Sequence, residues 1–183
     1  MFFQSIFGSR EVKALIRQLK TSDNVHTIIQ ETGYSYSGSN VQARSLVDYE
    51  ENALKTLPPV PGPDATPEEI RIFNEIQAEY VNNKPNKHRD GTGDGSYITL
   101  NYKGGGTEEE RKALALKEGP YKRNKTTTLF HEYDHAGRVD TGTIKAEMKD
   151  EEIEATQFIN RNFRNDKNRR ERYGEWIVPK END

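Results

Sequence analysis

His131-Glu132-Tyr133-Asp134-His135 is the segment of this 183-residue chain whose residue types and spacing can do chemistry. Residues four apart share a helical face, so both imidazoles can address one ion. Glu132 stands one position from His131, off the line of the ligand pair. There its carboxylate can take a proton from a water on that ion, as a general base does. Zinc in such a site keeps one position open for water and brings that water's pKa toward neutrality. Leu129 and Phe130 give the helix an apolar face just before the motif, and the small Ala136 and Gly137 follow it. The bland alternative is a coincidence of two surface histidines on a charged helix. His26 and His88 are isolated in sequence and read as solvated or packed side chains.

Catalytic zinc takes three protein ligands besides water. The chain has no cysteine, so the third ligand must be a carboxylate or a distant histidine. Asp140 lies five residues after His135 and comes within reach if the helix ends at Gly137. The other source is the segment after Lys149, KDEEIEATQFINRNF, which predicts a second helix with Ile153, Ala155/Thr156, Ile159/Asn160 and Phe163 in one stripe. Glu151, Glu152 and Glu154 fall in its first turn, where acidic side chains also serve simply as dipole partners. Glu154 sits about 200° around the helix from Glu152, so the two face apart. Glu152 is the expected ligand, with Glu151 and then Asp140 as rivals. The preference rests on a likeness to gluzincins, many of which use a glutamate with a small residue three positions on and a hydrogen-bonding one four on. Ala155 and Thr156 fill those positions, and Thr156 is placed to support a histidine.

Other elements must position these groups. Val12, Leu15, Ile16 and Leu19 recur at helical spacing over 10–20, and the Val-, Ile- and Thr-rich 24–31 reads as a strand. A Gly/Ser-rich loop with two tyrosines follows, then a helix over 41–56 that the Pro-rich LPPVPGPDATP ends. Thr66 as N-cap and Pro67 at the first helical position open a helix running to about Asn82. Turn formers fill 83–96, YITLNY (97–102) alternates as a strand, and Thr107 with three glutamates opens a helix that Gly119–Pro120 breaks. The motif helix itself starts at one of Thr126–Thr128.

Composition bounds the rest. Charged residues make up 31% of the chain and hydrophobic ones 32%. Leu, Ile, Val and Phe supply about one residue in five, near the level where disorder competes with folding. A net charge of only −3 opposes disorder, so the expectation is a single α+β domain over 1–183 with a lean core and long polar loops. No apolar run approaches the ~20 residues of a membrane span, and Ser5, Gly8, Ser9 and Arg10 interrupt any secretory segment. A pI near 5.9 argues against nucleic-acid binding. The absence of cysteine suits the cytosol, or delivery in unfolded form through a secretion channel.

From 88 to 174 the chain resembles the NleD-like bacterial effector zinc metallopeptidases. The resemblance rests on GTGDGSYITLNY (91–102), LFHEYDHAG (129–137), EEIEAT (151–156), NRNFR (160–164) and RERY (170–173), in that order; residues 1–87 carry no recognised motif. Tyr133 and Asp134 depart from the apolar residues usual between the histidines, and the interval from His135 to Glu151 is short. The resemblance implies a zincin-like fold, with a small mixed or antiparallel sheet on the H-E-x-x-H helix and a second, C-terminal helix across the cleft. It implies one zinc ion on His131, His135 and one of Glu151/Glu152, with Glu132 catalytic. The implied activity is that of a monomeric endopeptidase acting on a protein substrate, host signalling proteins such as MAP kinases being the best-known class. Such proteins are cytosolic before delivery as effectors or toxins, some as the ends of longer toxins. The edge strand beside the motif helix would seat an extended substrate.

Arg170 and Tyr173 match an Arg-x-x-Tyr pair that in clostridial neurotoxin light chains serves the oxyanion; the plain alternative is a basic surface cluster of Arg169, Arg170 and Arg172 beside an aromatic anchor. Two other functions stay open from sequence: a zinc-stabilised binding module or inactive peptidase, and an amidase acting on peptidoglycan.

Overall fold

The computed structural model describes residues 9–31, 39–101 and 125–163, together with the backbone of 172–173 and 176–177. The helix expected from Thr107 and the Tyr-containing loop over 32–38 lie outside the described residues. The architecture is α+β: five helices and a small mixed sheet among the described residues. In chain order they are α1 (Arg10–Thr21), β1 (His26–Gln30), β2 (Asn40–Ala43), α2 (Arg44–Thr56), α3 (Pro67–Asn82), β3 (Ser96–Leu100), α4 (Lys125–Thr141) and α5 (Met148–Asn162). Two short strands, β4 (Arg172–Tyr173) and β5 (Trp176–Ile177), pair antiparallel, and β4 touches α5.

The sheet order is β1-β3-β2. β1 runs parallel to β3 with Ile28 opposite Ile98, and β2 runs antiparallel to it with Val41 opposite Ile98. Ser96, Ile98 and Leu100 are buried while Tyr97 and Thr99 are half-buried, the period-two pattern expected for this strand. β3 starts one residue earlier than expected and ends two earlier, at Leu100.

One expected element divides. Residues 40–43 are strand rather than the start of a helix, and the helix begins at Arg44. Ala43 provides no side-chain cap for it. The cap comes instead from Asp94, whose carboxylate accepts from the Ser45 backbone N–H at 3.0 Å and from its hydroxyl at 2.5 Å. α3 matches expectation: Thr66 caps it in a capping box with Glu69, and Pro67 is its first residue.

α4 lies at the centre. On one side Ala136 packs with Ile98 and Leu100 of the sheet, joined by Leu129 and Val41. On the other, Phe130 packs with Val12 and Leu15 of α1 and with Phe158, Ile159 and Phe163 of α5 and its end. Leu19 and Tyr133 touch both clusters, so a residue inside the motif belongs to the core. Gly137 lets α1 approach, because a Cβ there would lie 2.5 Å from Leu15 Cδ1. The glycine therefore serves close packing, and the helix continues through it to Thr141. No helix among the described residues is long and apolar enough to cross a membrane.

Candidate metal centre

His131 and His135 lie one turn apart on α4 and are buried, as helical spacing requires. α5 packs across them and brings Glu152 to the same point. His131 Nε2 and His135 Nε2 are 3.1 Å apart, and the imidazole planes stand at 86°. Glu152 Oε2 lies 3.1 Å from His131 Nε2, and its Oε1 lies 3.4 Å from His135 Nε2. Among the described residues these three are the group able to hold a metal ion.

The separations test the fit. Four ligands at zinc-like bond lengths of about 2.0–2.1 Å in a tetrahedron lie about 3.3 Å from one another. The separations of 3.1, 3.1 and 3.4 Å lie near that value, the two to Glu152 through its two different oxygens, and with one atom from each residue the group lies within 4.8 Å; the donor set is two imidazoles and a carboxylate. The His131, His135 and Glu152 side chains are 2, 8 and 18% exposed, so the carboxylate is the most accessible of the three.

Glu151 does a different job from its neighbour. Its Oε1 accepts from His135 Nδ1 at 2.7 Å and from Arg138 Nε at 2.7 Å, and its Oε2 accepts from the Lys145 backbone N–H at 3.0 Å. The bond to Nδ1 fixes the ring and turns the lone pair of Nε2 toward Glu152 and His131. Glu151 thus stands behind His135 and outside the His131–His135–Glu152 group that could hold a metal ion.

Charges in this cluster depend on one another. Burial draws the His135 imidazolium down, but Glu151 and Glu152 outweigh it and hold the ring up to about 9. Burial opposes ionisation of Glu151, yet His135, the Lys145 N–H and Arg138 bring it down to about 2. Glu152 is likewise held well below the usual carboxylate range, against burial, by the two histidines. Glu132 is 3% exposed, on the same helix as both histidines.

The remaining candidates separate. Asp140 does not approach the centre. Its carboxylate accepts from Ser22 Oγ, from Gln18 Nε2 at 2.9 Å and from Asn24 Nδ2 at 3.0 Å, and His26 Nε2 lies 3.3 Å away. These partners lower its pKa although burial opposes them. Because α4 runs past Gly137, Asp140 lies on a helix end bound to α1 and β1. Thr156 supports no histidine: its Oγ1 is buried with no hydrogen-bond partner among the described residues. Glu154 faces away as expected, toward Lys145 at 3.1 Å. Arg170 and the side chain of Tyr173 lie outside the described residues.

Sequence reasoning missed Arg138. The available signal was its spacing, four residues after Asp134 and three after His135, both of which place side chains together on a helix. His26, read as isolated, bonds through Nδ1 to Ser96 Oγ at 2.9 Å and so joins the network around Asp140. No protein-family model, curated protein or solved structure matches this chain.

Proposed function

We propose that the protein is a zinc-dependent metallopeptidase of zincin-like fold, acting on a protein substrate in the manner the NleD-like resemblance implies. The observation that carries this reading is the convergence of His131, His135 and Glu152 on one point, with Glu132 one residue away on the same helix. Bound zinc would supply Lewis acidity, acidifying water and polarising a carbonyl. Glu132 accepts the proton of the attacking water and returns it to the leaving amine. His131 and His135 present Nε2, and Glu151 keeps the His135 ring turned for that purpose. β2, an edge strand of the sheet among the described residues, would be the seat for an extended peptide. Tyr173 is assigned the donor to the developing oxyanion.

The test couples metal analysis with a Glu132→Gln substitution. The purified chain is expected to hold about one zinc, and the variant to keep it while peptide hydrolysis falls ~10²–10⁴-fold. Full turnover in Glu132→Gln would end the reading.

A further inference from the structure

Glu151 and Glu152 are adjacent carboxylates in the first turn of one helix, and either has the chemistry of a ligand. Something must settle which one takes the metal. Both oxygens of Glu151 are engaged, by His135 Nδ1, Arg138 Nε and the Lys145 N–H. Of these donors, Lys145 contributes only backbone, and His135 is the ring being oriented. Arg138 is the side chain that brings a permanent charge to Glu151.

Its guanidinium is itself held. Nη1 lies 2.6 Å from Asp134 Oδ2, an ion pair without hydrogen-bond alignment, and 3.7 Å from Glu154 Oε2, while Nε donates to Glu151 Oε1. The Arg138, Asp134 and Glu151 side chains are 15, 13 and 10% exposed, so the chain of contacts is shielded from water. An arginine that donates Nε to one carboxylate while Nη1 pairs with another is a planar bridge that a lysine does not reproduce. It also gives a purpose to Asp134, the charged residue within the motif.

We propose that Arg138, held by Asp134, is the positioning residue that assigns the two glutamates their roles: it keeps Glu151 behind His135 and leaves Glu152 to the metal. The proposal rests on the metal-site reading above. Without the guanidinium, Glu151 loses one donor on Oε1 and faces the Asp134 and Glu154 carboxylates unscreened. It is then free to leave His135 and compete for the ion.

Zinc affinity, measured on the full chain by competition with a chromophoric chelator, and the visible spectrum of the cobalt-loaded protein test this. The wild type should bind one equivalent. Arg138→Leu should bind zinc ~10–100-fold more weakly, the range for losing an outer partner of a ligand, and its cobalt spectrum should weaken as an extra carboxylate raises the coordination number. Arg138→Lys should recover part of the affinity. In a Glu151→Gln background, adding Arg138→Leu should cost less than about threefold, because the two act as a unit. A purely structural role would lower the melting temperature and leave spectrum and affinity in place. A wild type that binds zinc beside a folded Arg138→Leu of equal affinity and spectrum overturns the proposal. So does a full-size Arg138→Leu loss in the Glu151→Gln background. Should Arg138→Leu fail to fold, unchanged affinity and spectrum in both Arg138→Lys and Asp134→Asn overturn it equally. A wild type that takes up no metal overturns the metal reading itself, a result distinct from these.

Discussion

Asp140 and Glu152 were rival ligands from sequence, and two substitutions tell their roles apart. Asp140 gathers Ser22, Gln18, Asn24 and His26 from α1, the following turn and β1 onto the end of α4. Hydrogen bonds to a charged group contribute about 1.5–3 kcal/mol each, against about 1 for neutral partners. Asp140→Asn keeps one acceptor and loses the charge, so a cost of ~2–4 kcal/mol is expected. For a chain of this size each kcal/mol shifts the melting temperature by roughly 2–4 °C, so the drop should be about 5–15 °C. It should appear equally with and without zinc, leaving the metal-induced rise intact. Glu152→Gln should do the reverse and remove the metal-induced rise, because an amide replaces a ligand carboxylate. Differential scanning calorimetry with and without zinc, beside metal analysis by mass spectrometry, reads both effects. An Asp140→Asn protein that melts normally but has lost its metal would refute the assignment.

Three further outcomes rest on the structure. His135 must lose its proton to bind a metal, and in the metal-free chain that proton is held up to about 9. Apparent zinc affinity should therefore rise at least ~10-fold per pH unit from about pH 6 to 8, and a flat profile in chelator competition contradicts it. The sign for stability is opposite. The charged ring stabilises the metal-free fold fully below its ordinary 6.5, and that contribution is lost as pH rises through about 9. Thermal melts of the metal-free chain across that window check it. Gly93 (φ +85°) would place a Cβ 2.1 Å from the Asp140 carbonyl oxygen, whereas Gly91 (φ +80°) has open space. Gly91→Ala should cost ~1–2 kcal/mol and Gly93→Ala clearly more; equal losses in urea unfolding would remove the close approach from the account.

What was legible in the sequence were features carried by local pattern. The apolar spacing of Val12, Leu15, Ile16 and Leu19 marked α1, the Thr66–Glu69 cap marked α3, and alternation marked β3. The two histidines declared their own face, whereas the preference for Glu152 came from a gluzincin likeness whose supporting residue, Thr156, bonds no histidine. What was not legible depended on partners far along the chain. β2 looks helical on its own; it is a strand because Val41 pairs with Ile98, and the helix after it starts at Arg44 because Asp94 reaches over to cap it. Gly137 reads as a helix stop, yet the arrival of Leu15 makes it a contact point instead. Neighbouring glutamates are alike in sequence; only Arg138 and the Lys145 backbone, both outside the helix they act on, distinguish them.

The way α4 is enclosed has a consequence for how the chain reaches its native state. Gln18 and Asn24 meet Asp140 across 122 and 116 residues, and Asn162 binds Glu11 across 151. Native pairings of such sequence separation close large loops before they repay the entropy lost, which slows folding. The candidate ligands on α4 and α5 are complete in sequence by Glu152, but α1 and the sheet that hold α4 come from residues up to Leu100. A nascent chain therefore holds α1 and the strands of the sheet before the helices that carry the candidate ligands are made. Ion capture would then be a late event, locking a topology that the opposite end of the chain began.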